Sequence, residues 1–525
     1  MTATQTAAAS GQRATRREWI GLAVLTLACL VYAMDLTVLN LAVPRLSEDL
    51  KPSSAQLLWI IDIYGFLVSG ALITAGTIGD RIGRRRLLLI GAAWFAVASL
   101  FAAFSTSPEM LIASRAAMGI AGATIAPSTL SLIFAMFLDP KQRSTAIGMW
   151  VAAYSAGGAI GPVLGGILLE FFWWGSVFLL GVPVMALLLV LGPRMLPEYR
   201  DPNAKRLDLL SAVMSLTAIL SIVYGLKEMA QDGIAPAPVL AIIAGSAIGS
   251  AFVRRQLTLA DPMIDVRLFR IRALSASLGT YMLSIFVAVG YFLFIAQYLQ
   301  LVLGMTPIVA ALWSLPSAAG FIVGSVTAPR IIHRFRPSLV MGAGMSIAAV
   351  GTALLLGLNG PASLPILVAA SIVISLGFSP VITLATELIV GSAPPEQAGA
   401  ATGLSETSGE LGGALGIAVL GSLGTVVYRS EIAARMPPAV PPEAVEVARD
   451  TLGGAVAVAA ELPPDVAAGL LAAARVAFVD GIHVVAAITA VVALAAALGA
   501  AKALWNVPRR AETNEAPAQA DRSLA

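Results

Sequence analysis

The chain has 525 residues, of which 58% are hydrophobic and 12% charged, with a formal net charge of +3 at neutral pH and a mean hydropathy of +0.86. A soluble globular protein of this length does not carry so apolar a composition, so the sequence reads as an all-α polytopic membrane protein. The isoelectric point of about 9.1 would suit nucleic acid, but the basic residues are scattered through short segments between apolar runs and make no patch or arm.

A helix needs roughly 20 apolar residues to cross the hydrocarbon core. Fourteen candidate spans follow in chain order: 19–43, 55–79, 86–105, 109–137, 144–170, 172–194, 207–227, 236–253, 273–299, 307–330, 338–358, 363–390, 399–427 and 478–504. Residues 1–18 read as a polar, Ala/Thr-rich cytoplasmic tail. No A-x-A cleavage site follows the first apolar run, so that run is expected to stay as a helix rather than act as a signal peptide. Spans 1–6 occupy 19–196, and the charged stretch PEYRDPNAKRLD closes them. Residues 197–272 hold two weaker spans with flanking cytoplasmic segments, and 273–505 hold a second set of six. Two sets of six with a pair between them suggest a duplicated transporter with its site at the midplane. Residues 428–477 form a Pro-rich outer loop whose segments AVEVARDTLGGAVAVAA and DVAAGLLAAARVAF look amphipathic, as short helices on the outer face would. The tail 506–525 is polar and reads as disordered.

With the amino terminus inside, most of the 33 basic residues fall in cytoplasmic segments, including Arg81, Arg84, Arg85 and Arg86 in the second loop. That bias places both termini in the cytoplasm and leaves no call for a nucleic-acid partner. The single cysteine, Cys29, lies in an apolar run, so no internal disulfide and no thiol metal site is available. His333 and His483 have no metal-ligand partner at a useful spacing.

Four carboxylates lie where lipid-soluble residues otherwise belong: Asp35, Asp62, Glu406 and Glu410. A charge at the middle of a spanning helix costs at least about 2.5 kcal/mol, so such residues face a cavity and mark an ion, proton or substrate path. Asp35 lies about 24 Å along the first span, taking 1.5 Å per residue. Asp62 and Arg115 lie close to the outer ends of spans 2 and 4, which puts all three in the outer half of the first bundle. Arg115 stays protonated and can hold a carboxylate ionised, so an Asp35–Arg115 pair is expected, either linked to protons or structural. Glu406 and Glu410, four residues apart, share one helix face. Two like charges one turn apart in a low-dielectric cavity do not both ionise easily, so the pair can take up a proton that a cationic ligand displaces. Of the aromatics near these acids, Trp59, Tyr154 and Tyr291 are the candidates to stack on a flat cation.

The loop GTIGDRIGRRR resembles the signature loop of the major facilitator superfamily, with Gly76, Asp80, Arg81, Gly83, Arg84 and Arg85 as its residues. MDLTVLNLAVP in span 1, LIASRAAMGIAG with Arg115 in span 4, and GGAIGPVLGG in span 5 resemble motifs of that superfamily's fourteen-helix drug:proton antiporter branch. In the last motif Gly157, Gly158, Gly161, Gly165 and Gly166 permit close helix packing, and Pro162 leaves a carbonyl unpaired. Met118 stands where relatives carry glutamine, and Gly181 where many carry asparagine.

The resemblance, over about 19–505, implies a major facilitator fold of two six-helix bundles plus two inserted helices. It implies a multi-pass protein of the plasma membrane, working as a monomer, that exchanges protons for lipophilic cations such as quaternary ammonium compounds and dyes. The paired acids of span 13 favour cationic substrates, and a dedicated exporter of one natural product is the alternative. No G-x-x-x-x-G-K-[ST] loop occurs, which argues against direct ATP drive. No cofactor or metal is expected, and no nucleophile–base set suggests an enzyme.

Overall fold

The computed structural model describes residues 13–50, 52, 54–200, 208–232, 235–259, 262, 266–360, 363–392 and 398–507. Among these residues every regular element is helical. The first set is α1 (Arg16–Leu50), α2 (Ser54–Ile82), α3 (Arg84–Ala103), α4 (Pro108–Gly122), α5 (Ile125–Met136), α6 (Pro140–Phe171), α7 (Ser176–Leu179) and α8 (Gly181–Met195). An inserted pair follows, α9 (Leu209–Asp232) and α10 (Pro236–Thr258). The second set is α11 (Arg272–Gln297), α12 (Pro307–Arg334), α13 (Pro337–Leu354), α14 (Leu364–Gly391), α15 (Ala398–Gly416), α16 (Ser422–Arg435), α17 (Pro442–Asp450), α18 (Leu452–Ala459) and α19 (Pro464–Ala503).

Local chemistry sets several boundaries. Proline opens α4, α6, α10, α12, α13 and α19, where a missing N–H costs nothing. Ser107 caps α4 by accepting from the Met110 amide at 3.2 Å, and Asp139 caps α6 by accepting from the Gln142 amide at 2.9 Å. The span expected over 109–137 is present as one membrane-length stretch, Pro108–Met136, with a break between α4 and α5. Pro127 has no amide to offer the Ala123 carbonyl, and in the turn before it the Thr124 amide and hydroxyl both donate to the Ala121 carbonyl, at 3.1 and 2.8 Å.

Among the described residues eleven helices are long and apolar enough to span a membrane, or thirteen if two bent helices count as single spans, against fourteen in the sequence reading. The candidate at 207–227 holds a shorter apolar helix, Leu210–Leu226. The outer loop also differs from expectation. Its first part belongs to the helical run ending at Arg435, and DVAAGLLAAARVAF is the start of the 40-residue α19 rather than a separate helix. Only α17 and α18 remain as loop helices; they pack on each other, on α16 and on α19, all in the second set. Tyr428 ties α17 down by donating to the Ala448 carbonyl at 2.8 Å.

In the first set α1 packs on α6 and α8, α2 on α4, and α3 on α4 and α8; in the second, α13 packs on α14 and α19, and α11 on α14, α15 and α19. The sets meet where α2 and α5 lie on α15 and where α6 lies on α12 and α14. α9 packs beside this seam on α2 and α15, while α10 packs on α9. A polar clasp joins the inserted pair: Arg255 bonds Asp208 at 2.8 Å, and Gln256 Nε2 donates to Ser211 Oγ at 2.7 Å.

Both described ends lie on one face. The Ala14 amide donates to Gln142 Oε1 at 2.7 Å at the start of α6, and Arg17 donates to the Arg194 carbonyl at 2.7 Å at the end of α8. Gly148 of α6 backs onto Ser325 and Pro329 near the end of α12, and Gly342 at the start of α13 faces Ala501 at the end of α19.

Candidate functional site

Asp35 of α1 and Arg115 of α4 are 7% and 2% exposed and form an ion pair at 2.6 Å between Asp35 Oδ2 and Arg115 Nη1. The remaining guanidinium donors turn to α2, with Nε on the Ile60 carbonyl at 3.1 Å and Nη2 on the Ile61 carbonyl at 3.4 Å. The Tyr64 ring lies under the guanidinium carbon at 4.8 Å, and Phe178 lies at 5.9 Å. A buried charge is tolerable only when paired and hydrogen-bonded, and this one is both. Three helices are thereby joined through one side chain.

The position of α1 is set by a stripe of small residues on α6. A methyl group at Gly157 would meet the Leu30 carbonyl at 2.3 Å, at Gly161 the Thr37 hydroxyl at 2.6 Å, and at Gly165 the Val38 side chain at 2.6 Å. The three glycines are spaced by four and face residues 30–38, the segment that carries Asp35. Gly158 points elsewhere, with no atom within 4 Å of an added methyl. Gly166 is half-buried on the same helix. α6 bends by 40° between Pro140–Gly158 and Val163–Phe171, the stretch that contains Pro162, whose side chain lies outside the described residues.

Glu406 and Glu410 lie one turn apart on α15 and are half-buried, although the helix packs on both sets. Both act electrostatically on Tyr32 of α1, Tyr154 of α6 and Tyr281 of α11, so the carboxylates face the seam. Tyr32 and Tyr154 rings are 6.0 Å apart, and Trp150 stacks on Tyr154 at 6.3 Å. Tyr281 packs on α15 at Gly409, next in sequence to Glu410. Tyr64, under the Arg115 guanidinium, is also within electrostatic range of Asp35 and, more weakly, of Glu410. Its hydroxyl donates to the Tyr32 carbonyl at 3.4 Å. Glu406 makes no hydrogen bond or ion pair among the described residues.

Two of the three aromatic candidates lie elsewhere. Trp59 is 43% exposed and meets Phe66 edge-on at 6.1 Å, on the outside of α2. Tyr291 is buried inside the second set, beside Ser317 and Ser371. Ten residues separate it from Tyr281, and at 100° per residue that turns the two side chains to different faces of α11. Tyr281 is the position that sequence reasoning missed; the signal available was the run Gly409, Gly412 and Gly416, which flattens the face of α15 against α11. Asp62 is on α2, but its side chain lies outside the described residues.

The signature loop is built as a buried corner. Gly76 and Gly79 lie buried in α2, and Gly83 adopts φ 109°, which favours glycine over other residues. Asp80 pairs with the buried Arg84, while Arg81 is exposed. Glu198, beyond α8, accepts from the Arg85 amide at 3.1 Å and lies 3.5 Å from its guanidinium, and the Tyr199 carbonyl accepts from the Arg84 amide at 2.9 Å. An added methyl on Gly83 would run into the Glu198 carboxylate at 2.4 Å. Glu198 is a second residue that the sequence reading passed over.

The sequence model for the Major Facilitator Superfamily matches residues 25–417. The chain is 43% identical to the multidrug efflux pump LfrA of Mycolicibacterium smegmatis, over 93% of this chain and 96% of that protein. It is 37% identical to the methyl viologen resistance protein SmvA of Salmonella typhimurium, over 88% and 93%. It is 33% identical to the tetracenomycin C resistance and export protein of Streptomyces glaucescens, over 97% and 94%. Among solved structures, the human organic anion transporter MFSD10 superposes with a TM-score of 0.62 at 16% identity, covering 92% of this chain and 99% of that one, a likeness of fold alone.

Proposed function

Because the chain belongs to the major facilitator superfamily, we propose that it is a proton-driven exporter of drugs, with lipophilic cations as its main substrates. The observation that carries the cationic preference is the pair Glu406 and Glu410, half-buried on α15 with tyrosines from both sets around them. A cation entering the seam meets two carboxylates that do not both ionise easily; its charge favours their ionised form and expels a proton. A returning proton neutralises a carboxylate and weakens the hold on the cation. Binding and release then bias a rocking of one set against the other. Asp35–Arg115 is the second proton-linked centre: protonation of Asp35 breaks the ion pair and frees the guanidinium that holds α1, α2 and α4 together.

In the membrane the reading has fourteen spans in a cell membrane, with the face that holds both described ends in the cytoplasm and a single copy as the working unit. The relatives SmvA, named for methyl viologen resistance, and LfrA, named as a multidrug pump, support cationic and multiple substrates. The likeness to a tetracenomycin C exporter over 97% of the chain favours one alternative, a dedicated exporter of a single natural product.

In everted vesicles with an established pH gradient, adding ethidium or a quaternary ammonium salt should partly collapse the gradient, and Glu406→Gln with Glu410→Gln should abolish the response. A gradient that stays intact across a panel of cationic dyes overturns the antiport reading. A response to one compound class alone favours the dedicated exporter.

A further inference from the structure

The inserted pair touches both sets, and the sets move against each other in the proposed exchange, so it cannot hold fast to both. α9 packs on α2 of the first set, and on α15 and the turn Ile417–Gly421 that follows it in the second. A small apolar cluster apart from the main core makes these contacts: Phe66 of α2, Ile219 and Val223 of α9, Phe252 of α10 and Ala414 of α15, with Leu411 packed against it. Leu411 follows Glu410 in sequence and Ala414 lies one turn beyond it, so α9 covers α15 at the level of the acidic pair. The polar bonds of α9 among the described residues stay within the inserted pair: Asp208 with Arg255, Ser211 with Gln256, and the Ser215 hydroxyl to the Ala212 carbonyl at 3.0 Å. What α9 offers the two sets is apolar surface. Lipid chains are as apolar as leucine, so sliding along that surface breaks no hydrogen bond and costs little burial.

Two features tie the pair to the first set rather than the second. Gly70 of α2 is a socket for α9: an added methyl there would run into Leu216 Cδ1, with Leu220 at 3.2 Å. The chain that leads into α9 is pinned to the signature loop, where Glu198 accepts from the Arg85 amide at 3.1 Å and the Tyr199 carbonyl accepts from the Arg84 amide at 2.9 Å. The glycines of α15 that admit a neighbour, Gly409, Gly412 and Gly416, open toward α11 instead. We propose that the inserted pair travels with the first set as one body, and that α9 is a sliding seal that keeps lipid off α15 beside Glu410 while the second set moves beneath it. Small sliding of packed helices is a shear motion. The inference rests on the rocking in the proposed antiport and names the element that lets the acidic helix move without opening its side to the bilayer.

The test uses the full-length protein with Cys29→Ala in everted vesicles, with paired cysteines joined after folding by bifunctional methanethiosulfonate linkers that a reductant removes. Linking Gly70→Cys to Leu216→Cys fastens α9 to α2 and should leave the ethidium-driven gradient collapse intact. Linking Val223→Cys to Ala414→Cys fastens α9 to α15 and should abolish it, with recovery on reduction. Loss in the first pair alone would assign α9 to the second set, and loss in both or in neither would overturn the sliding seal. Should these variants disturb packing, spin-labelled cysteines at the exposed positions Ile90 of α3, Val213 of α9 and Val350 of α13 replace them, in lipid nanodiscs. Between acid and alkaline conditions the distance from Ile90 to Val213 should stay fixed, while that from Val213 to Val350 shifts together with that from Ile90 to Val350. A shift between Ile90 and Val213 overturns the proposal. If the unlinked protein gives no gradient collapse but the labels still shift in this pattern, the export reading fails and the seal stands. A distance from Ile90 to Val350 that never changes overturns both.

Discussion

At the scale of single residues, Asp35–Arg115 shows how a charge can be stationed deep in an apolar bundle. Its partner carboxylate and two backbone carbonyls give each guanidinium nitrogen an acceptor, and two aromatic rings lie beside it. Removing one member of a buried pair costs about 3–5 kcal/mol, more than removing both, because the survivor is left without compensation. Arg115→Leu is therefore expected to lower the thermal unfolding midpoint of the detergent-solubilised protein more than the double change Asp35→Asn/Arg115→Leu. If the double variant is the less stable, the side chains do not depend on each other. The pairing was legible in the sequence, since depth along spans 1 and 4 put both charges at one level. The tyrosines were not: beyond Arg272, α11 carries no charge to mark a face, so its residues alone do not tell which face meets α15, and Tyr291 is as plausible as Tyr281 until the glycines of α15 are set against it.

At the scale of helices, the motif glycines on α6 are not equivalent. Gly161→Val would force about 1–3 kcal/mol of overpacking against Thr37 and Met34, pushing α1 and Asp35 aside. Gly158→Ala has open space and should be neutral or stabilising by about 0.5–1 kcal/mol through helix propensity. Transport and melting assays on the two variants separate a packing role from a mere preference for small residues: equal loss in both defeats the assignment. The inserted pair offers a pH test. Hydrogen bonding from Ser211, aided by Arg255, holds the Asp208 carboxyl below the usual carboxylate range. A depressed carboxylate adds stability above the unfolded value and loses it as pH falls through the folded one. The melting difference between wild type and Asp208→Asn, a few tenths of a kcal/mol for a pair this open to solvent, should be present at pH 7 and vanish toward pH 3. A difference that persists in acid would assign the effect to the asparagine itself.

At the scale of the whole molecule, the halves close where α6 approaches α12 and α14. Ser144 donates to the buried Glu387 at 3.2 Å, and Gly148 backs onto the Ser325 carbonyl. Gly148→Leu should wedge this end apart, so that a cysteine placed at Ser144 reacts faster with a water-soluble maleimide than in the Gly148 background; unchanged labelling would mean that the end is not held by this approach. Two bundles, a pair between them and the glycine motif are legible in the sequence, because these depend on apolar length and local spacing. The contact between Ser144 and Glu387, 243 residues apart, and Glu198 reaching the loop at Gly83 are not, because such pairs depend on how finished helices come to rest. The bend in α6 carries a geometric consequence of its own. The arm from Val163 to Phe171 is about 12 Å long, so a 40° turn carries its tip about 8 Å sideways from where a straight rod would end. Trp174 follows that tip and donates to Asp49 at the far end of α1 at 2.9 Å. A straight rod would swing that indole out of reach, so the crook in α6 and the tether at Asp49 stand or fall together.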